Sequence, residues 1–111
     1  MSDIPLEVTQ EAAAHIAQLG MQQELEPMLD WVRQHVPSLR GIRVAMRRRY
    51  TRDAIPPCVI IWASREEPPR GMADVLLDWE WLAWKVQRFP HQVVASFLLF
   101  TVYQPLASLP I

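Results

Sequence analysis

The spacing of apolar positions changes several times along the chain, and each change predicts an element. From Gln10 to Leu19 an alanine-rich stretch lies between Thr9, a residue suited to cap a helix, and Gly20, suited to end one, so a short helix is predicted there. Leu25, Met28, Leu29, Val32 and Val36 then recur at intervals that describe one face of a second helix. Pro27 fits the first turn of that helix, where its missing N–H has no partner to lose. The main helix is therefore expected to begin near Glu26, after a looser or kinked turn from Met21 to Leu25, and to end at Pro37 and Ser38.

Beyond Gly41 the period falls to two. Ile42, Val44 and Met46 share one face, and Arg43, Ala45, Arg47 and Arg49 share the other, the pattern of a strand. Arg48 and Tyr50 continue the apolar face to where the sheet runs out into solvent. The stretch TRDAIPP makes a turn. CVIIWAS is apolar on both faces, as a strand covered on both sides would be, and the loop REEPPRG follows it.

From Met72 to Arg88 the pattern predicts a helix with two apolar faces. The longer stripe, Met72, Val75, Leu76, Trp79, Leu82, Ala83 and Val86, is expected to face the sheet. Leu77, Trp81 and Trp84 lie nearly opposite, between polar flanks of Asp74, Glu80, Lys85 and Arg88. They are expected to form an interface with another chain, tryptophan being a common interface anchor; the competing reading has the N-terminal helices cover them. QVVASFLLFTVY reads as a last strand, and residues 104–111 as a loosely held tail.

The order α-α-β-β-α-β predicts a single small α+β or α/β domain with about three main strands and helices on both faces of the sheet. The short turn favours antiparallel pairing of the first two strands, and the helical crossover allows a parallel, right-handed pair of the second and third.

Composition supports one ordinary globular core: 111 residues, 50% hydrophobic and 21% charged. A single cysteine, Cys58, excludes a disulfide-stapled scaffold and favours a reducing, cytoplasmic setting. The acidic N-terminal stretch lacks a basic start and an apolar run, and no segment reaches the roughly 20 apolar residues of a membrane span, so neither a leader nor a membrane is expected. The net charge of -1 conceals segregation: residues 40–52 hold six arginines and no acid, whereas residues 1–39 are predominantly acidic.

Candidate chemistry is sparse. His15, His35 and His91 lie on different elements without metal-ligand spacing, and Cys58 opens an apolar strand, where a small buried thiol is the expectation. No serine has a GxSxG context. Gly20, Gly41 and Gly71 form no phosphate-cradling loop, so no catalytic residue, cofactor or metal is assigned. Asp74 and Asp78 share a helix face and, with His91, are the residues an enzyme with a pocket between the sheet and helix 72–88 would use; Lys85 and Arg88 nearby suggest surface pairing instead.

Arg43, Arg47 and Arg49 project from one strand face with the last two roughly 6–7 Å apart, a spacing that suits phosphate or carboxylate, and Tyr50 stands beside them. Three readings follow. The first is a non-enzymatic interaction or accessory protein that self-associates, with Leu77, Trp81 and Trp84 as apolar anchors and Arg43, Arg47, Arg49 and Tyr50 as partner or anion contacts. The second is a nucleic-acid-binding module built on strand 43–52, disfavoured by the acidic remainder of the chain and its shortage of aromatics beside the arginines. The third is the small enzyme.

Overall fold

The first helix, α1 (Gln10–Leu19), forms where its caps place it: the Thr9 side chain accepts from the Ala12 N–H at 3.1 Å, and Gly20 closes the helix with φ of 70°, a left-handed conformation that glycine adopts without strain. The computed structural model describes residues 4–47, 58–68, 71–103 and 105. Within them α1 is followed by α2 (Gln22–His35), then strands Leu39–Met46 and Val59–Arg65, helix α3 (Met72–Arg88), a short helix α4 (His91–Ser96) and a last strand, Phe97–Val102. A three-residue strand, Leu6–Val8, precedes them all. In chain order the strands are β1 (Leu6–Val8), β2 (Leu39–Met46), β3 (Val59–Arg65) and β4 (Phe97–Val102).

The sheet runs β1-β2-β3-β4. β2 and β3 are antiparallel and β3 and β4 parallel, as the short turn and the helical crossover predict. β1 adds a parallel edge, with Leu6 opposite Ile42 and Val8 opposite Val44. It is held by bonds from the Ile42 N–H to the Pro5 carbonyl at 2.9 Å and from the Thr9 N–H to the Val44 carbonyl at 3.0 Å. The result is a small single-domain α+β fold with a mixed four-stranded sheet.

Two boundaries differ from expectation. α2 starts at Gln22, so Pro27 lies inside it rather than in its first turn. The bond lost is the one to the carbonyl of Gln23, an exposed residue whose carbonyl water can satisfy, while Leu25 packs on the core and keeps the preceding turn helical. The predicted last strand divides: Pro90 caps α4 over His91–Ser96, and only Phe97–Val102 is extended. The predicted tail, 104–111, falls outside the described residues except for Pro105.

All four helices among the described residues contribute to one core cluster. Ile16 of α1, Met28 and Val32 of α2, Leu77 and Trp81 of α3 and Val93 of α4 pack with Ile42, Val44, Ile61, Phe97 and Leu99, side chains from a single face of the sheet. The helices thus form one layer, not the two expected. Across the other face Glu7, Arg43, Trp62 and Phe100 stand in one register row spanning four strands, with Trp62 and Phe100 edge to face at 5.3 Å.

The largest correction concerns α3. Leu77 and Trp81, expected to point outward, are buried in the core, and Trp84 is packed against it. Trp81 and Trp84 meet Trp31 of α2 with ring centroids 5.3 and 5.9 Å apart, and Phe89 meets Trp84 edge to face at 5.4 Å. The stripe expected to face the sheet is the one left in water. Truncation of Trp81 to Ala is accordingly expected to destabilise the fold by about 3–5 kcal/mol. Urea unfolding followed by far-UV circular dichroism measures this, and a loss under about 1 kcal/mol would place Trp81 outside the core.

Candidate interaction face

The outward side of α3 carries Met72, Val75, Leu76, Trp79, Leu82 and Val86, all exposed, with Met72 at 69% and Trp79 at 65%. Beside Trp79 lies a shallow depression of about 240 Å³ walled by Val75, Asp78, Trp79 and Leu82. Asp78 is its one acidic wall. Its carboxyl is raised above the usual aspartate value by partial burial and by the negative charge of Asp74 one turn earlier. Six large apolar residues exposed along one side of a single helix form the kind of patch that marks an interaction site on a monomer.

The inward side also carries two charged residues whose charges are met inside the protein. Arg65, at the end of β3, is buried and donates from Nη1 to Oδ1 of Asp74 at 2.6 Å. Its Nε and Nη2 are buried without a hydrogen-bond partner. Lys85, also buried, donates to the carbonyls of Phe97 at 2.7 Å and Val94 at 3.1 Å, and its ammonium lies 5.2 Å from the centroid of the Trp81 ring. It thereby satisfies carbonyls at the end of α4 that the helix leaves free. Burial pushes the Lys85 ammonium down from 10.5 to about 8, an effect that the neighbouring Cys58 partly opposes.

The arginine strand is divided between these surroundings. Arg43 is engaged within the chain, donating from Nε to Glu7 of β1 at 2.7 Å. Arg47 is exposed, with one guanidinium nitrogen 3.9 Å from the Cys58 sulfur. Arg49 and Tyr50 lie outside the described residues. Arg33 pairs with Asp30 at 3.0 Å in α2.

The residues singled out for an enzyme are not brought together. Asp74 is committed to Arg65, and His91 lies beyond the far end of α3, an axis that separates Asp74 from Arg88 by about 21 Å. A different polar cleft, of about 200 Å³, opens between α2 and α3 and is lined by His35, Pro37, Ala73, Leu77 and Glu80. His35 is fixed there by stacking on Trp31 at 4.2 Å and by a bond between Nδ1 and the Trp31 carbonyl at 2.9 Å. Sequence reasoning did not place His35 and Glu80 in one cleft, because both come to line it only through the packing of α2 on α3. The cleft is smaller than the roughly 300–1,000 Å³ of ordinary ligand pockets. Among the described residues no group of three or more His, Cys, Asp or Glu side chains could hold a metal ion, and no helix is long and apolar enough to cross a membrane.

Comparison with protein-family models, with curated proteins and with solved structures finds no match to this chain.

Two outcomes test the charged contacts. Replacement of Asp74 by Ala leaves the buried Arg65 charge uncompensated and is expected to cost about 3–5 kcal/mol, with much of that recovered when Arg65 is also changed to Met. Equilibrium denaturation of the two variants decides it; additive losses would show that the pair is not coupled. For Lys85, the unfolded chain holds a proton that the folded chain releases between pH 8 and 10.5, so stability rises with pH across that window. The melting temperature of the wild type is expected to rise relative to Lys85→Met as pH is raised through it. A relative fall would mean that the fold favours the charged amine.

Proposed function

We propose that this is a non-enzymatic interaction or accessory protein that self-associates, and that the outward face of α3 is the surface through which it does so. One observation carries the reading: a helix whose inner face is already fully used by the core presents a second continuous apolar stripe, with Trp79 65% exposed at its middle. Apolar surface on this scale, rimmed by the acidic Asp78 and Glu80, has the composition of an interface centre with a polar border. The anchors are therefore Met72, Leu76, Trp79 and Val86 in place of Leu77, Trp81 and Trp84. Arg47 remains available as a charged contact at the other side of the molecule, and Arg43 is occupied by Glu7.

Light scattering coupled to size-exclusion chromatography, with absorbance at two wavelengths, tests the proposal. The wild type is expected to run as a dimer or larger species free of nucleic acid, and a Leu76→Glu, Trp79→Glu variant as a monomer with an unchanged far-UV spectrum. A monomeric wild type that carries nucleic acid, released by salt, would overturn this reading in favour of the arginine strand, whose phosphate contacts weaken steeply with ionic strength.

A further inference from the structure

We infer that the occupant of the α3 face is the α3 of a second copy, crossing it antiparallel about a two-fold axis at Trp79, with Trp79 of each copy seated in the other's Val75–Asp78–Leu82 depression. The inference rests on the reading that this face is the self-association surface, and adds the partner element, its direction and its anchor.

The arrangement of the stripe supports it. A closed two-fold interface uses the same patch on both copies, so the patch must be complementary to itself. About Trp79 the apolar positions are symmetric: an antiparallel partner places Met72 against Val86, Val75 against Ala83 and Leu76 against Leu82, apolar against apolar at every step. These positions are exposed in the single chain. Ala83, the smallest of them, lies one turn from Trp79 and leaves room for a large ring to approach. The depression next to it, about 240 Å³, has three apolar walls and one carboxylate, Asp78, that accepts from an indole N–H.

Area and direction agree. Six exposed apolar residues and their polar borders, along a helix about 25 Å long, are on the scale of the roughly 800 Å² per partner of a standard stable interface. A parallel pair would set the acidic first turns, each with Asp74, side by side and the two Arg88 ends together, with the helix dipoles aligned. Antiparallel packing separates like ends and opposes the dipoles. The two-fold does bring Glu80 near its own copy and Asp78 near its own copy at the rim, so added salt is expected to leave the dimer intact or tighten it.

Cysteine cross-linking in a Cys58→Ala background tests the direction. Val75→Cys and Ala83→Cys chains, mixed and oxidised with diamide, are expected to form a disulfide-linked dimer that neither variant forms alone, because like positions lie about 12 Å apart along the axis. Cross-linking of each variant with itself, and not in the mixture, would overturn the antiparallel arrangement while the dimer mass still upheld self-association. A wild type that is monomeric by light scattering at every concentration would overturn both. Trp79→Phe, which keeps a ring but loses the indole N–H, is expected to weaken the dimer roughly tenfold by sedimentation equilibrium. An unchanged dissociation constant would remove Trp79 from the Asp78 depression.

Discussion

Trp31 of α2 touches both Trp81 and Trp84 of α3, with ring centroids 5.3 and 5.9 Å apart, and this contact sets the rotation of α3 about its own axis. The remaining features of the molecule depend on that rotation. A helix has one set of angles to share between core and solvent, so seating the two tryptophans inward turns Met72, Leu76, Trp79 and Val86 outward. The contact is braced from behind: His35 stacks on Trp31 at 4.2 Å and bonds its carbonyl, which holds the last turn of α2 against the indole. Aromatic pairs in such tilted and edge arrangements contribute about 0.5–1.5 kcal/mol each beyond the area they bury, so the cluster is also a substantial share of the preference for one face over the other.

Charge then locks the helix along its length. Near its beginning, Asp74 receives Arg65 from the end of β3; near its end, Lys85 reaches through the layer to the carbonyls of Val94 and Phe97. Buried charges are tolerated only where partners meet them, and the two clamps lie eleven residues apart on one side of the helix, at either end of the tryptophans. Sliding α3 by a turn would strand both. The accounting at Arg65 is incomplete, since Nε and Nη2 stay buried without partners, and such groups cost about 1–3 kcal/mol apiece. The pair therefore serves position more than stability.

These clamps also explain what could and could not be read from the chain. Local signals were clear where one residue decides the outcome: Thr9 and Gly20 bound α1, period two marks β2, and the limits of α3 are those its stripes imply. The orientation of α3 was not local. In sequence, Asp74 and Lys85 look like polar borders that mark the Trp81 face as outer. That inference fails because their partners, Arg65 and the carbonyls of Val94 and Phe97, stand nine to twelve residues away on neighbouring elements that only the fold brings back to α3. β1 escaped notice for a related reason, since three residues show no periodicity and are held by backbone bonds to β2 and by Glu7 on Arg43. The candidate interface was thus legible as a two-faced helix with a tryptophan on each side; which tryptophan is left in water depended on contacts that only the folded chain makes.

The outward stripe is not a by-product of building the core. Nothing in the helix requires it: glutamate, lysine or glutamine at Met72, Leu76 or Val86 would form the same helix equally well and leave Leu77, Trp81 and Lys85 in their places. Val75 and Val86 are even slightly worse helix formers than the charged residues that would normally occupy a wet face. Left in water, the stripe carries only the cost of exposed apolar surface and the tendency to aggregate that follows from it. An arrangement with no local benefit and a standing cost makes physical sense when the surface is covered during the protein's working life. The inner face of α3 accounts for the fold, and the outer face, which the fold does not use, is the surface the proposed association rests on.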